Sequence, residues 1–347
     1  MRIHDDARQI RDELEQQNAA RVSVALFGQP GAGKSSLINQ IVGKKVAEVG
    51  VETDKTVDQK EYAHNGLILV DLPGYGTQRF PKDTYATKFA LESFDLFLCV
   101  TSGKFHAADT ELFRKLDAMG KVCIFVVNKH DELWEDGVTI EELEQRKRED
   151  IYRQVGKRVE VLFTSCRKNT GLGLLSETIA ENLDTAKRER WLRGAKAHSL
   201  KFLQQKREAA EKYVTIAAGA SAANGLNPIP GADIAVDLSV LMKLFVELRE
   251  CFGLSDKILN SLKESAIPTV SAVANNVIRY AAKEGILLLL KQFIGRQAIK
   301  SVAKFVPFIG QAVAASAGFT ITYAVGSSYL NDCHELAESI LRDELGR

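Results

Sequence analysis

Gly28-Gln29-Pro30-Gly31-Ala32-Gly33-Lys34-Ser35 fits the pattern G-x-x-x-x-G-K-[ST]. Its flanks decide how it is read. Arg21-Val22-Ser23-Val24-Ala25-Leu26-Phe27 is apolar and β-branched, the composition of a buried strand, and Ser36-Leu37-Ile38-Asn39-Gln40-Ile41 carries helical spacing. Strand, glycine-rich turn and helix together make a phosphate-binding loop. Glycines let backbone N–H groups close on phosphate oxygens, and the helix N-terminus adds partial positive charge. The expected nucleotide contacts are Gly28, Gln29, Pro30, Gly31, Ala32, Gly33, Lys34, Ser35 and Ser36. Lys34 is placed for the β- and γ-phosphates and Ser35 for Mg²⁺.

Three further motifs each close an apolar run. Asp71-Leu72-Pro73-Gly74 ends Leu67-Ile68-Leu69-Val70 and has the form D-x-x-G. Asp71 is then placed to hold Mg²⁺ through water, with the Gly74 amide facing the γ-phosphate. Asn128-Lys129-His130-Asp131 ends the run 122–127 and has the form N-K-x-D. A carboxylate accepts two hydrogen bonds from guanine N1–H and its 2-amino group, a donor pair that adenine lacks, so Asp131 argues for GTP over ATP. Thr164-Ser165-Cys166 follows the run 159–163, where a short loop presents Ser165 and the Cys166 amide to the base.

Between the first helix and Asp71 lies Gly50-Val51-Glu52-Thr53-Asp54-Lys55-Thr56. A threonine hydroxyl in such a segment closes on Mg²⁺ when the γ-phosphate is present, and Thr53 and Thr56 both compete for that role. Tyr75 follows Gly74, at a position where many small GTPases carry a glutamine that orients water. A phenol does not replace that amide, so slow hydrolysis alone and acceleration by a partner are expected. Arg79 has two readings, an arginine acting on a neighbouring molecule and a solvated arginine, of which the second is favoured.

The chain has 347 residues, long for one domain, with 45% hydrophobic residues, enough for substantial cores. Lys+Arg 46 against Asp+Glu 45 leaves a net charge of +1, so overall charge selects no partner. Five cysteines form no C-x-x-C pair, as expected in a reducing cytosol, and the N-terminus shows no signal or myristoylation pattern. Strands are expected at 22–27, 58–64, 67–71, 95–101, 121–127 and 159–163. Helices are expected at 34–42, 82–92, 107–118, 139–154 and 172–183. Alternation predicts an α/β phosphate-loop GTPase domain over 21–184, a mostly parallel six-stranded sheet with helices on both faces. Residues 1–20 form a charged helix with Ile10 and Leu14 on one side, expected to pack with an all-α domain over 185–347.

Within that second half, 187–207 is basic and reads as one long helix leaving the nucleotide domain. Two uncharged segments, Tyr213–Ala232 and Phe305–Asn331, each contain a Pro-Gly turn, read as a loose duplication. Their small and polar residues favour a buried bundle over a membrane span. Residues 285–331 contain no acid and place Arg296, Lys300 and Lys304 on one helical stripe before a hairpin at Pro307 and Gly310. An anionic membrane surface suits such a stripe, and an ordinary solvated face explains it equally. Asp233, Asp237, Glu247 and Glu250, on one side of a helix over 232–251, repel such a surface.

Asp71-Leu-Pro-Gly-Tyr-Gly-Thr-Gln-Arg-Phe-Pro-Lys-Asp-Thr-Tyr85, Phe94-Asp95-Leu96-Phe97, and Gly50 through Thr56 with Tyr62 beyond it resemble the immunity-related GTPases of the dynamin-like superfamily. Asn227-Pro-Ile-Pro-Gly-Ala-Asp233 and Val306-Pro-Phe-Ile-Gly-Gln311 resemble the uncharacterised helical domain found after bacterial Era-like GTPases. The resemblance implies GTP/GDP with Mg²⁺ as ligands, GTP-driven dimer or oligomer formation and a link to membranes. It also implies that Thr56 is the switch threonine, and that Asp54 stands where the family has a hydrolytic glutamate, one methylene longer. Lys34, Thr56, Gly74 and Asp54 are then the residues expected at the reacting phosphate, and Ser35, Thr56 and Asp71 those at the metal. Two alternatives stand beside this reading. One is an Era-like GTPase acting on RNA or ribosomes, though no G-x-x-G loop follows residue 174. The other is a GTP switch that binds a protein partner.

Overall fold

β1 (Val22–Phe27), β2 (Lys60–His64), β3 (Leu67–Asp71), β4 (Leu96–Thr101), β5 (Val122–Val127) and β6 (Val161–Phe163) form one sheet in the order β2-β3-β1-β4-β5-β6. This is seen in a computed structural model that describes residues 2–48, 59–224, 227–228, 235–294 and 317–346. β1 pairs parallel with β3 and β4, and β4–β5 and β5–β6 are also parallel, while β2 runs antiparallel along the β3 edge. Every residue of β4 is buried, as expected of a central strand covered on both faces.

The chain divides into two compact units, Arg21–Phe202 and a second made of Met1–Ala20 with Leu203–Arg347. After α1 (Arg2–Ala19), which belongs to the second unit, the sheet is crossed by α2 (Lys34–Val42), α3 (Lys82–Lys88), α4 (Ala107–Ala118), α5 (Ile140–Val155) and α6 (Leu172–Glu181). The chain moves one way from β1 to β3 and the other way through β4, β5 and β6. Right-handed crossovers then place α2 on one face and α3, α4 and α5 on the other. On the latter face Tyr85, Phe89, Leu112, Phe113, Ile151 and Val155 share one core with the strands.

The helix after D-x-x-G and the basic run after 187 differ from the sequence expectation. The helix expected over 82–92 ends at Lys88, because Ala90 takes φ 45°, in the left-handed region, before a 3-10 turn over Leu91–Ser93. That reversal lets Phe89 and Leu91 both enter the core. The basic run after 187 is two helices rather than one: α7 (Thr185–Gly194) and α8 (Leu200–Asn224). α7 lies within the sheet unit, whose compact body continues to Phe202. Trp191 is fully buried and donates its indole N–H to the Ser176 carbonyl at 3.0 Å. A Cβ on Gly194 would lie 2.8 Å from Leu67 Cγ, so α7 approaches β3 closely. Lys187 bonds Asp95 at 2.6 Å and Arg188 bonds the Ala180 carbonyl at 2.8 Å, so these charges are engaged inside the unit.

The second unit is helical, with α9 (Leu238–Cys251), α10 (Asp256–Lys263), α11 (Pro268–Tyr280), α12 (Lys283–Ile294) and α13 (Ala317–Leu345) joining α1 and most of α8. Ile10 of α1 packs with Ile216, Ala218, Ala220 and Phe319, and the Tyr213 hydroxyl donates to Asn18 Oδ1 at 2.7 Å. Phe245 stacks on Tyr329 at 3.8 Å. α9 begins at Leu238 rather than 232, because Asp237 caps it by accepting from the Ser239 N–H at 2.9 Å.

No helix among the described residues is long and apolar enough to cross a membrane. Thr53, Asp54 and Thr56 lie outside the described residues, as do Arg296, Lys300, Lys304, Phe305, Pro307, Phe308 and Gly310.

Candidate nucleotide site

Every sheet motif falls at a carboxyl strand end: the glycine loop after β1, Asp71 closing β3, Asn128 after β5 and Thr164-Ser165 after β6. Doubly wound sheets bind ligands along that edge. The loop is held by two glycines that accept no side chain. Gly28 sits at φ 136°, where a Cβ would lie 2.0 Å from the Val100 carbonyl oxygen. Gly33 sits at φ 92°, where a Cβ would lie 2.2 Å from Asn128 Nδ2. Gly33 precedes α2 without a side-chain cap, which leaves first-turn N–H groups for an anion. Pro30 and Gly31 are exposed at the loop tip, and Ser35 and Ser36 are half-buried in the first turn of α2.

Lys34 is buried and donates to the Gly28 carbonyl at 2.9 Å, with its Nζ 3.7 Å from Asp71 Oδ1. The Ser35 hydroxyl donates to Asp71 Oδ2 at 3.3 Å. Asp71 is 2% exposed, and its Oδ1 has no hydrogen-bond partner. Burial pushes its carboxyl above the ordinary range, against the opposing pull of Lys34 and Ser35. A buried, incompletely bonded carboxylate beside a serine hydroxyl is the oxygen-rich donor set that Mg²⁺ takes, directly or through water.

After Asp71, the Thr77 hydroxyl donates to the Gly74 carbonyl at 3.3 Å. Tyr75 turns into the core, edge-on to Tyr85 with ring centroids 5.0 Å apart. The Tyr85 hydroxyl donates to the Pro73 carbonyl at 2.5 Å. Arg79 is exposed, with its guanidinium 5.6 Å from the centroid of the Phe80 ring.

The base end is built from side chains. Asn128 is buried, donates Nδ2 to the Ala32 carbonyl at 3.0 Å and accepts at Oδ1 from the Thr164 hydroxyl at 3.2 Å. It therefore ties the phosphate loop to the segment after β6. Lys129 takes φ 59° ahead of a 3-10 turn over His130–Glu132. His130 Nε2 lies 2.9 Å from Glu144 Oε1 on α5. Asp131 accepts from the Ser165 hydroxyl at Oδ1 and from Arg167 Nε at 2.7 Å at Oδ2. Those bonds hold its carboxyl below the ordinary range. The Ser165 and Thr170 backbones close a small loop at 3.0 and 3.2 Å, and Gln40 of α2 donates to the Cys166 carbonyl at 2.9 Å. Burial pushes the Cys166 thiol up to about 11, which keeps it protonated. Just beyond the 3-10 turn, Trp134 is 80% exposed.

Lys34, Ser35 and Asp71 thus gather at the end expected to take the phosphates, and Asn128, Asp131, Ser165 and Cys166, with Lys129 beside them, at the end expected to take the base; Gly74 contacts Thr77. Sequence reading quoted Thr164 within its motif without giving it a role, and missed Arg167 and Gln40. Arg167 directly follows that motif, whereas Gln40 had no local signal.

The interferon-inducible GTPase (IIGP) family model matches residues 2–343. The chain is 26% identical to interferon-inducible GTPase 5 of Bos taurus, across 97% of this chain and 78% of that protein. It is 25% identical to interferon-gamma-inducible GTPase 10 of Mus musculus, across 94% and 82%. It is 31% identical to GTPase Era of Thermosipho melanesiensis across 46% of this chain and 54% of that one. A match over nearly the whole chain, onto a sheet edge carrying these motifs, makes this protein a member of the interferon-inducible GTPase family, one that binds guanine nucleotide and hydrolyses GTP.

Proposed function

We propose that GTP binding and hydrolysis are coupled to self-association, and that the assembled form attaches to an anionic membrane surface. The observation that carries the first part is Tyr75. Its ring packs into the core beside Tyr85, and its phenol does not replace the glutamine amide that orients the attacking water. A second protomer then completes the hydrolytic arrangement.

Within one protomer, Lys34 binds the β- and γ-phosphates, and the loop N–H groups of 30–35 fix their orientation. The Gly74 N–H faces the γ-phosphate. Ser35, Asp71 and Thr56 would hold Mg²⁺, which would supply neutralisation of phosphate charge. Asp54 assists hydrolysis from the switch segment. Asp131 reads the guanine N1–H and 2-amino group, Asn128 and Lys129 fix the walls around it, and Ser165 and Cys166 close the base pocket. For the membrane step, the support is the acid-free stretch 285–331 with Arg296, Lys300 and Lys304 on one stripe.

Turnover per protomer, measured from dilute to concentrated protein in saturating GTP, should rise with concentration. Light scattering should show a larger species in a GTP analogue than in GDP. A flat turnover plot with unchanged mass overturns self-activation. Anionic liposomes should float the protein more strongly in the GTP analogue, and Arg296→Glu with Lys300→Glu should reduce that flotation. Equal flotation by the charge-reversed protein overturns the membrane assignment.

A further inference from the structure

Gln29 occupies a variable position of the phosphate-loop pattern, and phosphate contact by the loop backbone needs nothing of its side chain. That side chain is nevertheless directed to one partner. Gln29 Nε2 lies 3.2 Å from Asp109 Oδ2 and 3.4 Å from Oδ1, so one amide donor is shared between both carboxylate oxygens. Asp109 lies in the first turn of α4, where an acidic side chain normally stays in water and favours the helix dipole. Here it is 5% exposed and turned inward to the loop. Burial pushes its carboxyl up, and the Gln29 amide, His106 and Lys34 act against that shift. A buried carboxylate left without its donor is strongly unfavourable, so the pair fixes the Gln29 side chain and, through it, the backbone of 28–30.

The same helix turn reaches a second segment. Glu111 pairs with Lys82 Nζ at 2.5 Å, and Lys115 Nζ lies 3.4 Å from the Lys82 carbonyl oxygen. Lys82 opens α3, the helix that follows D-x-x-G. α4 therefore touches the phosphate loop with one carboxylate and the segment after Gly74 with the other.

We propose that Gln29 and Asp109 are a positioning pair for the phosphate loop, which slows GDP release by holding the loop N–H groups on the phosphates. The inference rests on the phosphate-loop reading of 28–35.

The experiment measures release of a fluorescent GDP analogue from the full chain in Mg²⁺, with far-UV circular dichroism and thermal melting to show that each variant folds. Gln29→Ala should speed release about tenfold, the loss of one charge-assisted hydrogen bond. Gln29→Glu sets two carboxylates face to face and should speed it further. Gln29→Glu with Asp109→Asn restores an amide opposite a carboxylate with the roles exchanged, and should return release to within about threefold of the unmodified protein. A folded Gln29→Ala protein with unchanged release overturns the pair, as does a double variant no slower than Gln29→Glu. Tight binding by Lys34→Ala overturns the phosphate-loop reading, and this inference with it.

Discussion

Asp71 and Asp131 stand at opposite ends of the nucleotide site, and their surroundings push them in opposite directions. Asp71 is buried with one oxygen lacking a donor, and its carboxyl is raised. Asp131 is bonded by Ser165 and Arg167, and its carboxyl is lowered. One acid is under-compensated until a cation arrives, whereas the other is already stabilised as an anion by its own chain. The phosphate end thus stores an electrostatic deficit that ligand binding relieves. The end carrying Asp131 is already hydrogen-bonded within the chain, which is what preorganisation for the proposed base reading requires.

The largest test of that contrast is Asp71→Asn. Turnover in Mg²⁺ should fall by about 100-fold or more. The nucleotide-free protein should meanwhile melt at a higher temperature at neutral pH. The sign follows from a raised folded pKa: the favourable contribution is present at low pH and lost as pH rises through that pKa. A lower melting temperature for the variant would break the comparison. At the other end, Asp131→Asn should weaken GTP on the order of 100-fold and gain xanthine nucleotide, measured by competition binding. Unchanged preference for GTP would remove Asp131 from base reading.

Gly33→Ala asks whether the ends are separable. Its Cβ would meet Asn128 Nδ2 at 2.2 Å, and the left-handed backbone adds strain of about 1–2 kcal/mol. Affinity for both GTP and inorganic triphosphate should drop about tenfold, because Asn128 joins the loop to the base pocket. A pH series from 7 to 4 is gentler. Asp71, with its raised pKa, takes up its proton first, and Asp131, with its lowered pKa, stays ionised longer. GTP affinity should decline while the GTP-to-ATP ratio holds, and a ratio that collapses first would reverse the assignment. The smallest effect expected is Arg167→Ala. That side chain is largely exposed, so the loss in GTP affinity should stay below about fivefold.

Much of this was readable beforehand, for physical reasons that are local. The parallel strands of the sheet are apolar runs, as burial on both faces requires, and the phosphate loop needs glycines at fixed spacing whatever surrounds it. Ala90 in a left-handed conformation was not readable, because alanine carries no preference for that region and the core imposes it. The break between α7 and α8 was hidden by continuous basic composition. α7 ends at Gly194, packed against Leu67 of β3 in a contact distant in sequence, and Ala195 turns extended. Asp109 is distant in sequence from Gln29, and nothing local distinguishes it from a solvated first-turn acid.

The two tryptophans differ as much as residues of one type can. Trp191 is fully buried with its indole N–H bonded, and Trp134 is 80% exposed just past Asp131. The intrinsic fluorescence is therefore a sum of two separable emitters. A blue, quencher-resistant component follows the integrity of the sheet unit, and a red component open to iodide follows the guanine loop. One cuvette, without a label, can distinguish a variant that has lost the base pocket from one that has lost the fold.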